Sequence, residues 1–262
     1  MSRVMERSRE QMLVIPASSE LTPELLARSR RCAEAAAEFE QTYKRTLDEA
    51  TAVVREALGA PNAEVMRLGS VDGRLIFVVD GAVSERDLGE LLQNLSRAAF
   101  RRTNFAGKGN AEFKHHICEH NVMDVSKTGV FNSVMKLAQV CFPSHCPLAC
   151  ERIYTNSRFF GDVSFVHRDS DNASSVTALV YPNPEWGPEL GGETLFYDER
   201  GTIVENCEPS PGRIVIFNGS IWHKGSPPGR LLHGARFTTA FKFDSARRVD
   251  EVCAKSPNPV PS

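Results

Sequence analysis

Five residues in the second half of the chain have the types and the order of a metal site with an adjoining anion site. His167 and Asp169 are separated by one residue, His223 and Arg236 follow, and Thr238 comes two residues after Arg236. Two imidazoles and one carboxylate can occupy one face of a six-coordinate Fe(II) and leave its other positions open. Arginine presents a planar fork that meets a carboxylate bidentately, and Thr238, on the same strand face, can add a hydroxyl. The set predicts a ferrous centre beside a dicarboxylate site.

The segments that carry these residues are predicted to be β-strands. Short runs rich in Val, Ile, Phe, Tyr and Thr alternate with Gly, Pro and Asn at 150–156, 159–167, 174–181, 192–198, 212–218 and 234–243. Many short strands separated by such turn-forming residues indicate a β-sandwich or barrel. Side chains at i and i+2 of a strand project from one face, so an extended backbone would direct His167 and Asp169 at the same metal.

The first half of the chain is predicted to be mainly helical. Thr22-Pro23-Glu24 has the features of a helix start, and apolar residues at spacings of three and four continue to Leu58, before Gly59. A strand is predicted at 75–79, and Ser84 to Asp87 resembles a capping box that opens a helix through about residue 100. Residues 101–109 are predicted to be a loop, and 129–140 a helix.

These elements predict one structural domain with four regions. They are a flexible leader (1–20), a helical support region with the first strand and a lid segment (21–149), a β core (150–245) and a flexible tail (246–262). The 262 residues are 41% hydrophobic and 24% charged, with a formal net charge of -2. Such a near-neutral globular composition gives no support to nucleic acid as a partner.

The sequence has no apolar run of the length that a signal peptide or a membrane span needs. We therefore expect no membrane partner and a reducing cytoplasmic location, in which the seven cysteines are mainly free thiols. A monomer and a homodimer both remain open.

Two longer blocks resemble a known family. The stretch from Thr177 to Tyr197 is similar to the central section of Fe(II)/2-oxoglutarate-dependent oxygenases of the prolyl-4-hydroxylase-like branch, and so is Pro211 to Phe217 running into Trp222-His223. The similarity covers about 73–244 in layout and about 150–244 in motif detail. It implies a mainly β fold with N-terminal helices (α+β), in which a double-stranded β-helix, or jelly-roll, of the cupin-like kind is braced by helices.

The resemblance also implies roles for single residues. His167, Asp169 and His223 would be the iron ligands, Arg236 would bind the distal carboxylate of 2-oxoglutarate, and Tyr154 would hydrogen-bond the same cosubstrate. The implied cofactors are Fe(II), 2-oxoglutarate and O2, with ascorbate as a reductant. Collagen-type prolyl hydroxylases usually carry Lys where this chain has Arg236, which separates the chain from that subgroup.

The reaction implied is hydroxylation of an unactivated C–H bond with release of succinate and CO2; desaturation and ring formation stay open. Halogenating relatives have Gly or Ala at the position of Asp169, so halogenation is disfavoured. We favour a small-molecule substrate, an amino acid or a natural-product intermediate. The alternatives are a prolyl hydroxylase acting on a peptide or protein, and a non-catalytic jelly-roll binding or sensor protein. Nucleic-acid demethylation is disfavoured by the near-neutral chain, although Lys242 stands where such relatives carry a second arginine.

Two further features could take part in binding. His115, His116 and His120 precede a run of Cys141, His145, Cys146 and Cys150, which together offer enough donors for a second metal, although the spacing fits no compact zinc finger. The other prediction for this segment is a cover over the barrel mouth, from which His115, His116 or His120 would contact the substrate. The loop at 183–189 could likewise place Trp186 over the substrate, and Gly191-Gly192 is expected to permit a sharp entry into the next strand.

Overall fold

The computed structural model describes residues 23–104 and 112–245. The predicted leader at 1–20 and the predicted tail at 246–262 lie outside the described residues. The chain divides into two compact units after Thr46, and all the strands belong to the second, which begins at Leu47.

Four helices are present in the described residues. They are α1 (Pro23–Leu58), α2 (Glu85–Arg97), α3 (Val122–Val125) and α4 (Gly129–Cys141). Their ends follow the predicted signals: Pro23 is the first residue of α1, and Gly59 follows its last residue with a φ of 62°. The side chain of Ser84 accepts a hydrogen bond from the backbone N–H of Asp87 at the start of α2. The predicted helices are confirmed.

Within residues 23–104 and 112–245, eleven strands form two antiparallel sheets. The strands are β1 (Glu64–Val71), β2 (Arg74–Asp80), β3 (Arg101–Asn104), β4 (His115–His120), β5 (Leu148–Arg158), β6 (Val176–Val180), β7 (Thr194–Tyr197), β8 (Ile203–Cys207), β9 (Ile214–Asn218), β10 (Trp222–Gly225) and β11 (Arg236–Ser245). The large sheet has the order β1-β2-β9-β6-β11-β5-β4-β3, and the small sheet has the order β10-β7-β8.

The central strands β6 and β9 of the large sheet are buried on both faces, and alternate residues of its strands separate two cores. On β6, Val176, Ala178 and Val180 belong to the core that includes Val54 of α1 and Val134 of α4. Leu179 belongs instead to the core shared with the small sheet, where the ring of Phe196 on β7 packs edge-on to that of Phe217 on β9. Two facing sheets, with helices on the outer face of the larger one, confirm the predicted jelly-roll with helical support.

Two local predictions were wrong. Residues 159–167 are not a regular strand, because the chain turns at Gly161 (φ 88°) and the carboxylate of Asp162 accepts a hydrogen bond from the N–H of Phe159. Residues 101–104, predicted to be loop, form the edge strand β3, whose polar side chains gave no strand signal. Among the described residues, no helix has both the length and the apolar character of a membrane span. Cytoplasmic location and oligomeric state stay predictions.

Candidate active site

Three side chains converge between the two sheets. Each of His167, Asp169 and His223 offers one ligand atom, and these atoms lie within 4.8 Å of one another. The two histidines are paired backbone to backbone, since each N–H donates to the carbonyl of the other at 2.9 Å. The N–H of Asp169 donates to the carbonyl of Gly219 at 2.9 Å, which fixes the carboxylate beside them. The predicted cluster therefore forms, although the segment before it is irregular.

Both imidazoles present the same nitrogen to the cluster. His167 Nδ1 lies 3.1 Å from the carbonyl of Phe165, and His223 Nδ1 lies 2.9 Å from the carbonyl of Ile221. A carbonyl only accepts, so each Nδ1 carries the proton and each Nε2 keeps its lone pair. Nε2 of His167 is 3.7 Å from Oδ1 of Asp169, and Nε2 of His223 is 3.4 Å from Oδ2 of the same carboxylate.

Burial keeps both imidazoles in the uncharged form that binds metals. It lowers the pKa of His223 to about 4, and it also lowers the pKa of His167. Burial alone would raise the pKa of Asp169, but attraction to Lys242 and the two histidines outweighs it, and the net shift is downward. Near neutral pH the cluster therefore has two neutral nitrogens and one carboxylate, the donor set that suits ferrous iron.

Lys242 and Thr177 hold one oxygen of that carboxylate. The ammonium of Lys242 contacts Asp169 Oδ2, and the hydroxyl of Thr177 donates to the same atom at 2.8 Å. Asp169 Oδ1 has no hydrogen bond among the described residues. The role of Lys242 was not predicted, because nothing in the sequence joins it to Asp169; only the pairing of β11 with β6 brings Lys242 opposite Thr177.

Arg236 is a fully buried guanidinium with free donors. Its side chain is about 2% exposed, and Nη1 donates to the hydroxyl of Thr238 at 2.6 Å. Nε and Nη2 have no hydrogen-bond partner among the described residues. These two atoms form one edge of the guanidinium, which a single carboxylate can satisfy bidentately. A buried charge with two orphaned donors fits the predicted dicarboxylate site.

Glycine brings the chain close to this arginine. Gly191 and Gly192 both have positive φ, at 61° and 84°, where the chain turns into β7 as predicted. A Cβ on Gly192 would lie 2.8 Å from the Cδ of Arg236 and 3.2 Å from the ring of Trp186. The site thus depends on a residue without a side chain at this point.

A cavity of about 560 Å³ joins the cluster to Arg236. Thr238 lines it, and so does Tyr154, which is buried on β5. The ring of Tyr154 lies on the metal side of the cavity, since its centre is 5.6 Å from Nζ of Lys242, and burial raises the pKa of its hydroxyl. Arg236 is not among the charged groups that influence this pKa, and the predicted contact of Tyr154 with 2-oxoglutarate stays a prediction.

Three residues predicted to touch the substrate do not line this cavity. Along β4 the side chains alternate, so that His115 lines the cavity while His116 and His120 lie on the other face. His120 Nε2 is 2.8 Å from the hydroxyl of Thr155 and lines a separate small cavity on the helix side. Trp186 donates from its indole nitrogen to the carbonyl of Gly191 at 3.0 Å and does not line the cavity. Their predicted contact with substrate has no support in this geometry.

The predicted second metal site is also without support. His115 to His120 form a strand of the large sheet and not a cover over the barrel mouth. Among residues 23–104 and 112–245, His167, Asp169 and His223 are the only group of three or more ligating side chains close enough to share a metal. Burial raises the pKa of Cys141 to about 12 and that of Cys150 to about 11, so both remain protonated thiols. The six cysteines in the described part of the chain are all free, as predicted.

Known proteins resemble this chain in sequence motif and in fold. Residues 155–241 match the family model of the 2OG-Fe(II) oxygenase superfamily. No curated protein sequence matches the chain. A prolyl hydroxylase from Trichoplax adhaerens, solved in complex with a hypoxia inducible factor oxygen degradation domain peptide fragment, is 16% identical, with a TM-score of 0.50 over 69% of this chain and 87% of that one.

Two other solved structures have a similar fold. The non-heme α-ketoglutarate dependent epimerase SnoN from nogalamycin biosynthesis is 13% identical, with a TM-score of 0.50 over 71% of this chain and 88% of that one. An oxidoreductase of the 2OG-Fe(II) oxygenase family from Burkholderia pseudomallei is 10% identical, with a TM-score of 0.51 over 76% and 91%. The matched segment contains the whole His-Asp-His cluster and Arg236. Residues 155–241 of this chain are thus similar to the 2OG-Fe(II) oxygenase superfamily, and its fold is that of solved structures of such oxygenases.

Proposed function

We propose that the protein binds Fe(II) through Nε2 of His167, a carboxylate oxygen of Asp169 and Nε2 of His223. Arg236 and Thr238 would bind the distal carboxylate of 2-oxoglutarate. The reaction proposed is hydroxylation of an unactivated C–H bond of a small molecule. The observation that carries the proposal is the convergence of the three ligand atoms within 4.8 Å, in a cavity that Arg236 also lines.

Iron with 2-oxoglutarate and O2 supplies the oxidising chemistry, and succinate and CO2 are released. The chain's own residues bind the metal and orient the groups bound beside it. Lys242 and Thr177 both contact Oδ2 of Asp169, which leaves Oδ1 as the oxygen with no hydrogen bond. We infer that this arrangement presents Asp169 to the metal through one oxygen and keeps the carboxylate from turning.

The two histidines are also held in place, because each donates its Nδ1 proton to the backbone carbonyl two residues earlier in the chain. Such a hydrogen bond fixes both the tautomer and the ring orientation of a metal ligand. The burial of Arg236 removes water from the distal end of the cosubstrate site, so the charge-assisted hydrogen bonds there form in a medium of low polarity.

A small-molecule substrate is favoured by the size of the cavity. Its volume of about 560 Å³ falls in the range of sites that enclose small ligands. The second candidate is a prolyl hydroxylase acting on a peptide, since one structure of similar fold was solved with a peptide fragment bound. The cavity would then take a single side chain of that peptide.

Succinate release from Fe(II)- and 2-oxoglutarate-loaded protein tests the proposal. The screen would contain amino acids, natural-product intermediates and proline-containing peptides, and stimulation by one class alone would choose between the two candidates. His167→Ala should abolish release, whereas His145→Ala, which removes an imidazole outside the cavity, should not. Release that survives His167→Ala would overturn the ligand assignment.

A further inference from the structure

Among the described residues, five cationic side chains line the cavity, and four of them have an anion assigned. Arg152 contacts Glu119, Arg168 lies 3.0 Å from Asp171, and Lys242 contacts Asp169. The fourth, Arg236, is the proposed partner of 2-oxoglutarate. The fifth is Arg158, the last residue of β5.

Arg158 is buried without a carboxylate partner. It is about 5% exposed, and its Nη1 donates to the hydroxyl of Ser164. No carboxylate among the described residues comes within 4.0 Å of its guanidinium. The nearest acidic residue in sequence, Asp162, accepts the N–H of Phe159 at 2.8 Å, and its charge only partly offsets the burial that lowers the pKa of Arg158 to about 10. A buried charge that lacks a counter-charge is costly unless a ligand supplies one.

The surroundings of Arg158 differ from those of Arg236. The two arginines are directly opposite each other in the pairing of β5 with β11. Arg236 faces the ring of Tyr181, at 5.3 Å, and the glycine turn before β7. Arg158 lies near His115 of β4, and the charge of Arg236 is among the causes that lower the pKa of Arg158. The two guanidinium groups are therefore neighbours on one face of the sheet, but their other surroundings differ.

The neighbours of Arg158 form a polar cluster. His115 Nε2 lies 3.1 Å from Asn156 Oδ1 and 3.2 Å from Asn104 Nδ2. Burial, reinforced by the charge of Arg158, lowers the pKa of His115 to about 4, so this imidazole is neutral near pH 7. The cluster thus places uncharged hydrogen-bonding groups beside Arg158, whose charged neighbours are Arg236 and the more distant Asp162, a composition that suits one anionic group.

The cosubstrate does not need this second arginine. The free Nε and Nη2 of Arg236 lie on one edge of its guanidinium and can take both oxygens of one carboxylate, and Thr238 adds a hydroxyl. We propose that Arg158 binds a carboxylate of the substrate, so that the enzyme acts on small carboxylic acids. This proposal rests on the proposed function, because it assigns the distal end of 2-oxoglutarate to Arg236.

The test compares acids with their amides. Protein loaded anaerobically with Fe(II) and 2-oxoglutarate would be mixed with benzoate, phenylacetate and a set of N-acetyl-L-amino acids, and with the primary amide of each. The midpoint of thermal unfolding reports binding without any need for turnover. At least one acid should raise the midpoint more than its amide does. Equal effects of every acid and its amide, including no effect of either, would overturn the proposal.

Variants of Arg158 test whether this arginine causes the difference between the acid and its amide. Arg158→Met should weaken binding of the responding acid by roughly ten- to a hundredfold, the range for losing hydrogen bonds to a charged group. Arg158→Lys keeps the charge and should retain part of the affinity. Arg86→Met removes an exposed arginine of α2 and is the control for loss of one charge. If Arg158→Met does not fold, the proposal is still tested by the acid–amide comparison in the wild-type protein and by the affinity of Arg158→Lys for the responding acid.

Two different failures can be told apart in the same samples. The visible charge-transfer band of the Fe(II)–2-oxoglutarate complex reports the proposed function. Absence of this band in the wild-type protein would count against the iron and cosubstrate assignment. An intact band with equal effects of acids and amides would count against Arg158 alone. A band that needs at least tenfold more 2-oxoglutarate in Arg158→Met would assign this arginine to the cosubstrate and overturn the proposal.

Discussion

Replacing Arg236 by methionine should have opposite effects on stability and on cosubstrate binding. In the metal-free protein, Nε and Nη2 of Arg236 are buried donors without partners among the described residues. Each such donor costs about 1–3 kcal/mol, whereas the hydrogen bond from Nη1 to Thr238 contributes about 1 kcal/mol. Methionine fills a similar volume without these donors. We expect Arg236→Met to raise the free energy of unfolding of the metal-free protein by about 1–5 kcal/mol.

The same substitution should weaken 2-oxoglutarate binding. Two charge-assisted hydrogen bonds to the distal carboxylate are lost, which we take as about 3 kcal/mol, or roughly a hundredfold in Kd. Arg236→Lys keeps the charge but loses the planar fork, so its Kd should fall between those of the wild type and Arg236→Met.

Urea unfolding of the metal-free protein and titration of the anaerobic charge-transfer band with 2-oxoglutarate measure the two effects. Arg213→Met is the matched control, because Nε and Nη2 of Arg213 each lie 2.8 Å from an oxygen of Asp80, remote from the cavity. That variant should lose about 1–3 kcal/mol of stability, since it leaves a carboxylate unpaired, and should bind 2-oxoglutarate as the wild type does. The reasoning would be refuted if Arg236→Met were less stable than the wild type and bound 2-oxoglutarate equally well.

Three further predictions concern the same cavity. Because the folded-state pKa of His115 is about 4, below its ordinary value of 6.5, its contribution to stability is complete above pH 6.5 and is lost as the pH falls. Between pH 6.5 and pH 4 this loss is roughly 3 kcal/mol. The free energy of unfolding of His115→Gln, measured with urea, should therefore fall less over this pH range than that of the wild type; an equal fall would contradict this. Lys242→Met leaves Asp169 without its cation and should destabilise the metal-free protein by about 3–5 kcal/mol. Added metal should then raise its thermal midpoint by more than that of the wild type, and an equal rise would count against the pairing. Gly192→Ala should lower both stability and 2-oxoglutarate affinity, because the new Cβ would meet Arg236; Gly201→Ala, also at a positive φ but in open space, isolates that contact and should keep wild-type affinity.

The metal ligands and Arg236 could be predicted from the sequence because their chemistry is specific and their order is informative. The jelly-roll followed from the short apolar strands and from the resemblance of the segment around 177–223. The ends of α1 and α2 followed from local capping signals at Pro23 and Ser84. In each case the information lies within a few residues of the feature itself.

The remaining features depend on long-range pairing or on one local turn. Phe159 to Val166 have strand composition, yet the turn at Gly161 and the carboxylate of Asp162 prevent regular pairing. The direction of each side chain on β4 depends on its register with β5, which set His115, and not His116 or His120, toward the cavity. A shift of one residue in this register would turn the other set of β4 side chains toward the cavity, and no sequence pattern determined the register.

The contact of Lys242 with Asp169 could not be predicted either, because it joins two residues 73 positions apart. The unpartnered state of Arg158 is likewise a property of the assembled cavity. Both features depend on how the strands pair. For this reason the sequence indicated the reaction class more clearly than the substrate.

X-ray absorption at the iron edge, on protein loaded anaerobically with Fe(II) and 2-oxoglutarate, tests the central claim most directly. The signal of the wild-type protein should require two imidazole ligands, and that of His223→Ala should require one fewer. An unchanged imidazole signal in His223→Ala and in His167→Ala, with iron still bound, would contradict the assignment of these residues as the metal centre.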